Sequence, residues 1–182
     1  MKKLLLVLLA LPFIGFGQNV NIPDPIFKAY LVGNTAINTN GDTEIQVSEA
    51  SAFNGAIYCN GMNISNLSGI QAFSALTDLR CDDNQLTKLD VSANTALISL
   101  NCYNNQLTKL NVSANKALTT LYCNSNQLKR LDISANTSLN KLGCSSNQLS
   151  SLDISANTDL TDLWCWDNQF DCETLMRKYK LR

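Results

Sequence analysis

Apolar positions in this chain recur at a spacing of 21 residues over more than half of its length. Four nearly identical copies of the pattern L-x-x-L-x-C-x-x-N-x-L begin at Leu76, Leu97, Leu118 and Leu139. A shortened copy begins at Leu160, and a divergent one begins at Ile57. A single copy is too small to bury its own leucines, so neighbouring copies must stack and share one continuous core. The spacing therefore predicts a solenoid over residues 57–170.

Within each copy, a single residue separates the second leucine from the cysteine. This alternation is the period of a β-strand, so both side chains point inward and the residues that flank the cysteine point outward. The asparagine follows where the chain must turn out of the strand, and its amide can satisfy backbone groups of that turn. Each copy is therefore predicted to form one short strand followed by a turn.

The pattern resembles the leucine-rich repeat, with cysteine in the third apolar position. It is similar to bacterial secreted leucine-rich-repeat proteins, internalin-like in the broad sense. The resemblance implies an α/β solenoid, a right-handed superhelix with short parallel strands on its concave face. Turns or 3₁₀ segments would form the convex face.

Both ends of the repeat array carry helix signals. Asp24 and Pro25 suit the N-cap and the first position of a helix, and Asp171 can cap a second helix that ends near Lys180. Such helices would cover the core that the outermost repeats expose. The sequence thus predicts a signal peptide, an N-terminal helical cap, the repeat array and a C-terminal capping helix, with the bounds 1–17, 18–56, 57–170 and 171–182.

The N-terminus has the pattern of a secretory signal peptide. Lys2 and Lys3 precede an apolar run over residues 4–14, and small residues follow it. The run is shorter than the ~20 residues of a membrane-spanning helix, although an uncleaved anchor is the alternative. Cleavage before Gln18 removes two of the 14 basic residues and leaves 12 against 15 acidic ones, a net charge of -3. The mature chain is expected in the periplasm, at the cell surface or outside the cell, without a membrane span.

The composition excludes several kinds of site. The chain contains no histidine and its formal net charge is -1. Without histidine it has no Ser-His-Asp or Cys-His nucleophile pair and no histidine-ligated metal. The weak charge argues against nucleic-acid binding, which needs a positive field. Asp82, Asp83 and Asp167 share one predicted face, but their separations and directions do not suit an acid–base pair. We therefore expect no catalysis.

Six of the seven cysteines fall in one inward position of the repeat, namely Cys59, Cys81, Cys102, Cys123, Cys144 and Cys165. Secretion permits disulfides, but side chains on adjacent parallel strands point the same way, which is poor geometry for a bond. The pattern therefore favours a column of free buried thiols. Cys172 lies outside the column and can pair with Cys165 if the C-terminal cap folds back suitably.

Residues 38–49 resemble the calcium loop of EF-hand and dockerin-type modules. The resemblance assigns the ligand positions to Asn38, Asn40, Asp42, Glu44 and Glu49, with Glu44 acting through its carbonyl. Asn38 replaces the usual leading aspartate, and Thr43 stands where the sharp turn favours glycine. A polar turn without metal is the alternative, and calcium is the one cofactor that the sequence suggests.

The outward positions that flank each cysteine vary between copies, while the scaffold positions stay fixed. We call the surface that they form the concave face. Its candidate partner-binding residues are Arg80, Asp82, Tyr103, Tyr122, Trp164 and Trp166. Exposed aromatic side chains of this kind suit protein or sugar partners. The alternative for the two tryptophans is packing against the C-terminal cap.

These features together predict a secreted or surface-associated module that binds a protein partner through the concave face. A glycan-binding adhesin and a structural or matrix spacer are the alternatives.

Overall fold

The structure, a computed structural model that describes residues 17–180, is a stack of short parallel strands with a helix at each end. The predicted signal peptide lies outside the described residues except for Gly17. The six strands pair in sequence order, each parallel to the next. They are β1 (Ala56–Tyr58), β2 (Asp78–Arg80), β3 (Ser99–Asn101), β4 (Thr120–Tyr122), β5 (Lys141–Gly143) and β6 (Asp162–Trp164). The predicted parallel-strand solenoid is confirmed.

Helices occupy the two ends, and turns fill most of the chain between strands. The α-helices are α1 (Pro25–Val32), α2 (Val47–Ala52) and α3 (Cys172–Tyr179), and one 3₁₀ helix spans Ile70–Ala72. Both long helices begin as their capping aspartates predict. Asp24 accepts the backbone N–H of Phe27, and Asp171 accepts that of Thr174.

Equivalent residues of successive repeats lie directly opposite one another. Leu79 on β2 pairs with Leu100 on β3, and Leu121 on β4 pairs with Leu142 on β5. The leucine columns and the cysteine column form one continuous buried core. Full burial of one leucine contributes about 2 kcal/mol. Because neighbouring repeats cover those leucines, most of the stability of each repeat comes from stacking.

One column of asparagines joins each repeat to the one before it. The amide nitrogen of Asn105 donates to the carbonyls of Cys102 in its own repeat (3.2 Å) and Cys81 in the preceding one (3.0 Å). Its carbonyl oxygen accepts the N–H of Leu86, also in the preceding repeat (2.9 Å). The same contacts recur at Asn126 and Asn147. These amides satisfy backbone groups in the turn, as the repeat pattern predicted.

A second column of asparagines, on the convex side, also donates hydrogen bonds to backbone carbonyls of the preceding repeat. Asn115 is fully buried, and its amide nitrogen donates to the carbonyls of Val91 (2.9 Å) and Asn94 (2.8 Å). Asn136 repeats this pattern one repeat further along. Nine of the 23 asparagines belong to these two columns and bond backbone groups of the turns.

The N-terminal cap is fastened to the repeats through Asp24. One carboxylate oxygen caps α1, and the other accepts the backbone N–H of Ser65, 41 residues further along the chain (2.9 Å). Burial by itself raises the pKa of this carboxyl, but hydrogen bonds from Ser65, Phe27 and Ile26 lower it below its ordinary value.

The C-terminal helix α3 is joined to the last repeat by a disulfide. Cys165 and Cys172 are bonded, with their Cα atoms 5.6 Å apart. The expectation of a free thiol at Cys165 is therefore wrong, and the pairing that the sequence left open is formed. Cys172, the first residue of α3, thus bonds the last cysteine of the column, seven residues earlier in the chain. The other five cysteines of the column are free and buried, as predicted.

Candidate functional site

The concave face presents different chemistry at its two ends. At the N-terminal end, the guanidinium of Arg80 lies 4.9 Å from the centre of the exposed Tyr58 ring, a cation–π arrangement. Arg80 is exposed, as the strand pattern predicted. Tyr58, on the divergent first repeat, was not predicted as a site residue, because the repeat match is weak there.

Asp82 is buried, whereas the strand pattern predicted that it lies on the exposed concave face. The residue is only 5% exposed, and its Oδ1 atom is buried without a hydrogen-bond partner. The position follows the end of β2, where the chain begins to turn, and Ser145 in the equivalent position is also buried. Burial raises the pKa of Asp82, and the neighbouring charge of Asp83 raises it further.

Tyr103 is oriented by the preceding repeat. Its hydroxyl donates to Oδ2 of Asp83 (2.7 Å), and the amide of Asn104 donates to the other oxygen of that carboxylate. The bond to Asp83 raises the pKa of Tyr103 to about 12, because ionised Tyr103 would face a carboxylate. The same two hydrogen bonds lower the pKa of Asp83. Tyr103 is thus held in a polar cluster with Asp83 and Asn104.

Tyr122 and Trp164 form the centre of the C-terminal half. Their ring centroids are 5.9 Å apart at an interplanar angle of 60°, an edge-on contact. The two residues belong to β4 and β6, so the contact spans Gly143 on β5. A Cβ atom at Gly143 would lie 2.9 Å from the Tyr122 ring and 2.5 Å from the amide nitrogen of Asn124. The absence of a side chain at Gly143 is what lets the rings meet.

Trp166 is the most exposed aromatic side chain of this half, with 50% of its surface accessible. Trp164 is partly buried and contacts Tyr122. Of the six predicted residues, Asp82 is buried, Arg80 lies on β2, Tyr103 lies just after β3, Tyr122 and Trp164 lie on β4 and β6, and Trp166 lies just after β6. The glycine at position 143 in the variable column is the sequence signal for the ring pair, although the repeat pattern by itself does not predict the contact.

The left-handed backbone conformation recurs once per repeat beside this face. The residues with φ between 49° and 60° include Asn63, Asp83, Asn104, Ser125, Ser146 and Asp167. Asparagine and aspartate tolerate this conformation better than serine does. The residue type at this position is therefore constrained by the turn as well as by any partner.

The calcium-like loop is closed by its own hydrogen bonds. Asn38 is buried, and its amide nitrogen donates to the carbonyls of Val32 (3.0 Å) and Asp42 (2.8 Å). The amide nitrogen of Asn40 donates to the Asp42 carboxylate (3.0 Å). Both amides thus present N–H groups to Asp42, whereas a calcium ion requires converging oxygens.

The glutamates of the loop also bond to protein groups. Glu49 accepts the backbone N–H groups of Thr39 (2.8 Å) and Gln46 (3.0 Å), and the Glu44 carboxylate pairs with Lys28 (2.6 Å). Between residues 17 and 180, no three acidic or cysteine side chains are grouped so that they could hold a metal ion. The hydrogen bonds of the loop suit a polar turn, and calcium binding at these residues stays a prediction.

Solved structures provide the comparison with known proteins, since no protein-family model and no curated protein matches the sequence. The functional domain of InlJ from Listeria monocytogenes, which includes a cysteine ladder, is 30% identical with a TM-score of 0.65. The match covers 83% of this chain and 38% of that one. A leucine-rich-repeat protein from Leptospira interrogans is 26% identical over 55% of this chain and 28% of its own, with a TM-score of 0.52.

The internalin InlF from Listeria monocytogenes shares the fold at 21% identity, with a TM-score of 0.74. That match covers 93% of this chain and 52% of the internalin, so the chain spans about half or less of each of these proteins. The 21-residue period, the six parallel strands and the buried cysteine column agree with these similarities. The chain is an internalin-like leucine-rich-repeat protein.

Proposed function

We propose that the chain is an extracytoplasmic protein-binding module that engages its partner through the C-terminal half of the concave face. The observation that carries the proposal is the pair of contacting rings on β4 and β6, Tyr122 and Trp164, together with the exposed Trp166 just after β6. The fixed repeat positions supply the scaffold, and these rings occupy the positions that vary between repeats. Large aromatic side chains held in place by a scaffold are typical energetic centres of protein interfaces.

The ring pair is ordered before any partner arrives. Tyr122 and Trp164 restrain each other across Gly143, and Asn124 beside them accepts the backbone N–H of Ser145 (3.0 Å). A side chain that is already fixed loses little conformational entropy on binding, so more of its buried area contributes to affinity. Trp166 adds a half-exposed ring whose apolar surface a partner can remove from water.

Two features support a location outside the cytoplasm. The apolar N-terminal run resembles a signal peptide, and the Cys165–Cys172 bond belongs to a class of link that persists mainly in oxidising compartments. Among the described residues, no helix has both the length and the apolar character needed to cross a membrane.

A binding role also suits the chemistry of the face. Its acids include Asp82, which is buried, Asp83, which is bonded to Tyr103 and Asn104, and Asp167, which accepts the Ser146 hydroxyl (3.4 Å). Asp83 and Asp167 are engaged in these bonds and Asp82 is covered, so none of the three is presented as a free acid or base, and we expect no catalytic activity.

The test is capture of surface and secreted proteins by the purified chain, with Tyr122→Ala and Trp166→Ala as variants. Loss of an interface centre costs at least ~2 kcal/mol, so binding should fall by about 30-fold or more. Ile98→Ala is the matched control, because Ile98 is also an exposed apolar side chain but belongs to none of the concave positions.

Equal binding by both aromatic variants and the wild type would contradict the proposal. Retention of a glycan on an array, lost with the same variants and without protein capture, would instead indicate the adhesin. A chain that captures neither class would favour the structural spacer.

A further inference from the structure

A basic column runs along the flank of the solenoid that follows the first asparagine column. Lys88, Lys109 and Arg130 occupy the same position in three successive repeats, and Lys129 stands next to Arg130. All four side chains are exposed. This cluster contrasts with the chain as a whole, whose net charge is -1.

The backbone holds these residues in register. The N–H of Gln106 donates to the carbonyl of Leu86 (2.9 Å), and Asp90 forms a parallel β-bridge with Asn111. Lys88 and Lys109 lie between those two contacts and are therefore about one strand spacing, ~4.8 Å, apart along the backbone. Gln127 donates to Leu107 in the same way, which places Arg130 next in the series.

An open trough accompanies the column. The residues that line its central depression, of about 550 Å³, include Thr108, Lys109, Asn111, Ser113, Lys129 and Arg130. A second depression of about 630 Å³ extends toward the N-terminus past Lys88, and a third of about 400 Å³ shares Arg130 and continues toward Asp153. We call the surface formed by these three depressions the basic trough.

The cations of the basic trough form no ion pair among the described residues, although Asp90, Asp132 and Asp153 line the same three depressions. The two ion pairs found between residues 17 and 180 are Lys28–Glu44 and Glu173–Arg177, and neither lies here. These acids accept backbone N–H groups within their own turns, Asp90 from Ser92 and Asp132 from Ser134, and the bonds lower the pKa of both carboxyls, so they remain negatively charged. In the repeat of Lys109 the same position is Asn111, so the central depression combines Lys109, Lys129 and Arg130 with a single acid, Asp132, and carries the largest excess of positive charge.

We propose that the basic trough binds a linear acidic polysaccharide along the stack. Its cations recur at one per repeat, which suits a polymer that carries charge on successive units, and Thr108, Asn111 and Ser113 offer neutral hydrogen-bonding groups for sugar hydroxyls. The backbone of the inner repeats is paired on both sides. An acidic peptide therefore cannot add a strand here, and only its side chains would be held.

The site is independent of the concave face, so the two proposals can fail separately. The experiment is calorimetric titration of the full chain with a heparin octasaccharide. A polyglutamate octapeptide and uncharged dextran are titrated in parallel. We expect saturable binding of the octasaccharide that weakens with added salt, weaker binding of the peptide and none of the dextran.

The deciding variant is the triple substitution Lys109→Gln, Lys129→Gln and Arg130→Gln. Because each exposed charge pair contributes modestly, losing three should weaken octasaccharide binding by about tenfold. The control triple Lys116→Gln, Lys141→Gln and Lys180→Gln removes the same charge from exposed positions elsewhere and should change binding less than about twofold.

Equal losses in the two triples would show a bulk charge effect and overturn the proposal. So would the absence of octasaccharide binding, or binding of polyglutamate as tight as that of the octasaccharide. All six substituted side chains are exposed, so both triples should keep the thermal unfolding midpoint of the parent chain.

Discussion

The ring of Trp164 meets the ring of Tyr122 edge-on although the two residues lie two strands apart, because Gly143 between them has no side chain. Gly143→Ala would place a methyl group within 3 Å of both Tyr122 and Asn124. We expect it to separate the rings and to reduce the free energy of unfolding by about 1–3 kcal/mol, measured by urea denaturation.

The control for this change is Ser145→Ala in the same region. The Ser145 hydroxyl is buried and has no partner, so its removal should leave stability unchanged or slightly higher. If Gly143→Ala were as stable as the parent chain, the glycine would not be needed for the ring contact.

Serine in the left-handed turn position should be replaceable with a gain in stability. Ser125 has a φ of 51°, a conformation that asparagine adopts at lower cost and that Asn104 already adopts in the preceding repeat. Ser125→Asn should therefore raise the free energy of unfolding by about 0.5 kcal/mol, measured by thermal and chemical denaturation.

The matched control is Ser151→Asn, because Ser151 is exposed and is not among the residues with positive φ. It should give no gain. A similar gain at both positions would mean that the conformation of Ser125 is not the cause.

The contribution of Asp24 to stability should depend on pH. Its folded-state pKa lies below the ordinary value of 3.8, so ionised Asp24 favours the folded state. This stability is fully present above about pH 4 and is lost as the pH falls through the lower, folded pKa. Asp24→Asn should cost about 1–2 kcal/mol at pH 7 and nearly nothing at the acid end, measured by denaturation across pH.

Asp82 should give the opposite dependence of stability on pH in the same experiment. Its folded-state pKa is raised by burial, so its ionisation disfavours the folded state once the pH exceeds the ordinary value. Asp82→Asn should therefore stabilise the chain at neutral pH, with the gain disappearing below about pH 3.8. A loss of stability at pH 7 would instead indicate that the carboxylate has a partner.

The cysteine column should be unreactive until the chain unfolds. Burial raises the pKa of Cys59 and of Cys144 to about 12, so little thiolate forms at neutral pH and reagent has no access. A thiol assay should detect none in the native chain, five after denaturation, and seven after denaturation with reduction. Rapid labelling of the native chain would contradict burial of the column.

The loop at residues 38–49 should be stabilised by Glu49 and not by calcium. Glu49 accepts N–H groups of Thr39, Asn40 and Gln46, so Glu49→Gln should lower the free energy of unfolding by about 1–3 kcal/mol. Millimolar calcium should leave the melting temperature of the parent chain and of this variant unchanged. A calcium-dependent rise in the parent that Glu49→Gln abolishes would restore the metal site.

The repeat made the scaffold predictable, whereas side-chain contacts between repeats were not. The strand period determines that Leu79 and Cys81 point inward, and the turn explains Asn84. The same period places Asp82 and Tyr103 outward, but it carries no information on what covers a side chain just past the strand end. Asp82 was for that reason misplaced.

The sequence pattern of a single repeat also cannot predict contacts between residues that are not in adjacent strands. The Tyr122–Trp164 contact depends on an empty position on the strand between them, and the Cys165–Cys172 bond depends on where α3 returns. Both become visible only once neighbouring strands are assembled in register.

The asparagine that closes each turn belongs to the following repeat, as Asn105 does for Leu86 and Asn126 does for Leu107. Every inner junction is therefore chemically the same, and a whole 21-residue unit can be inserted or removed there without creating a new kind of contact. During evolution the number of repeats can therefore change by duplication or loss of whole units, while the two caps and their bonds to the array stay the same.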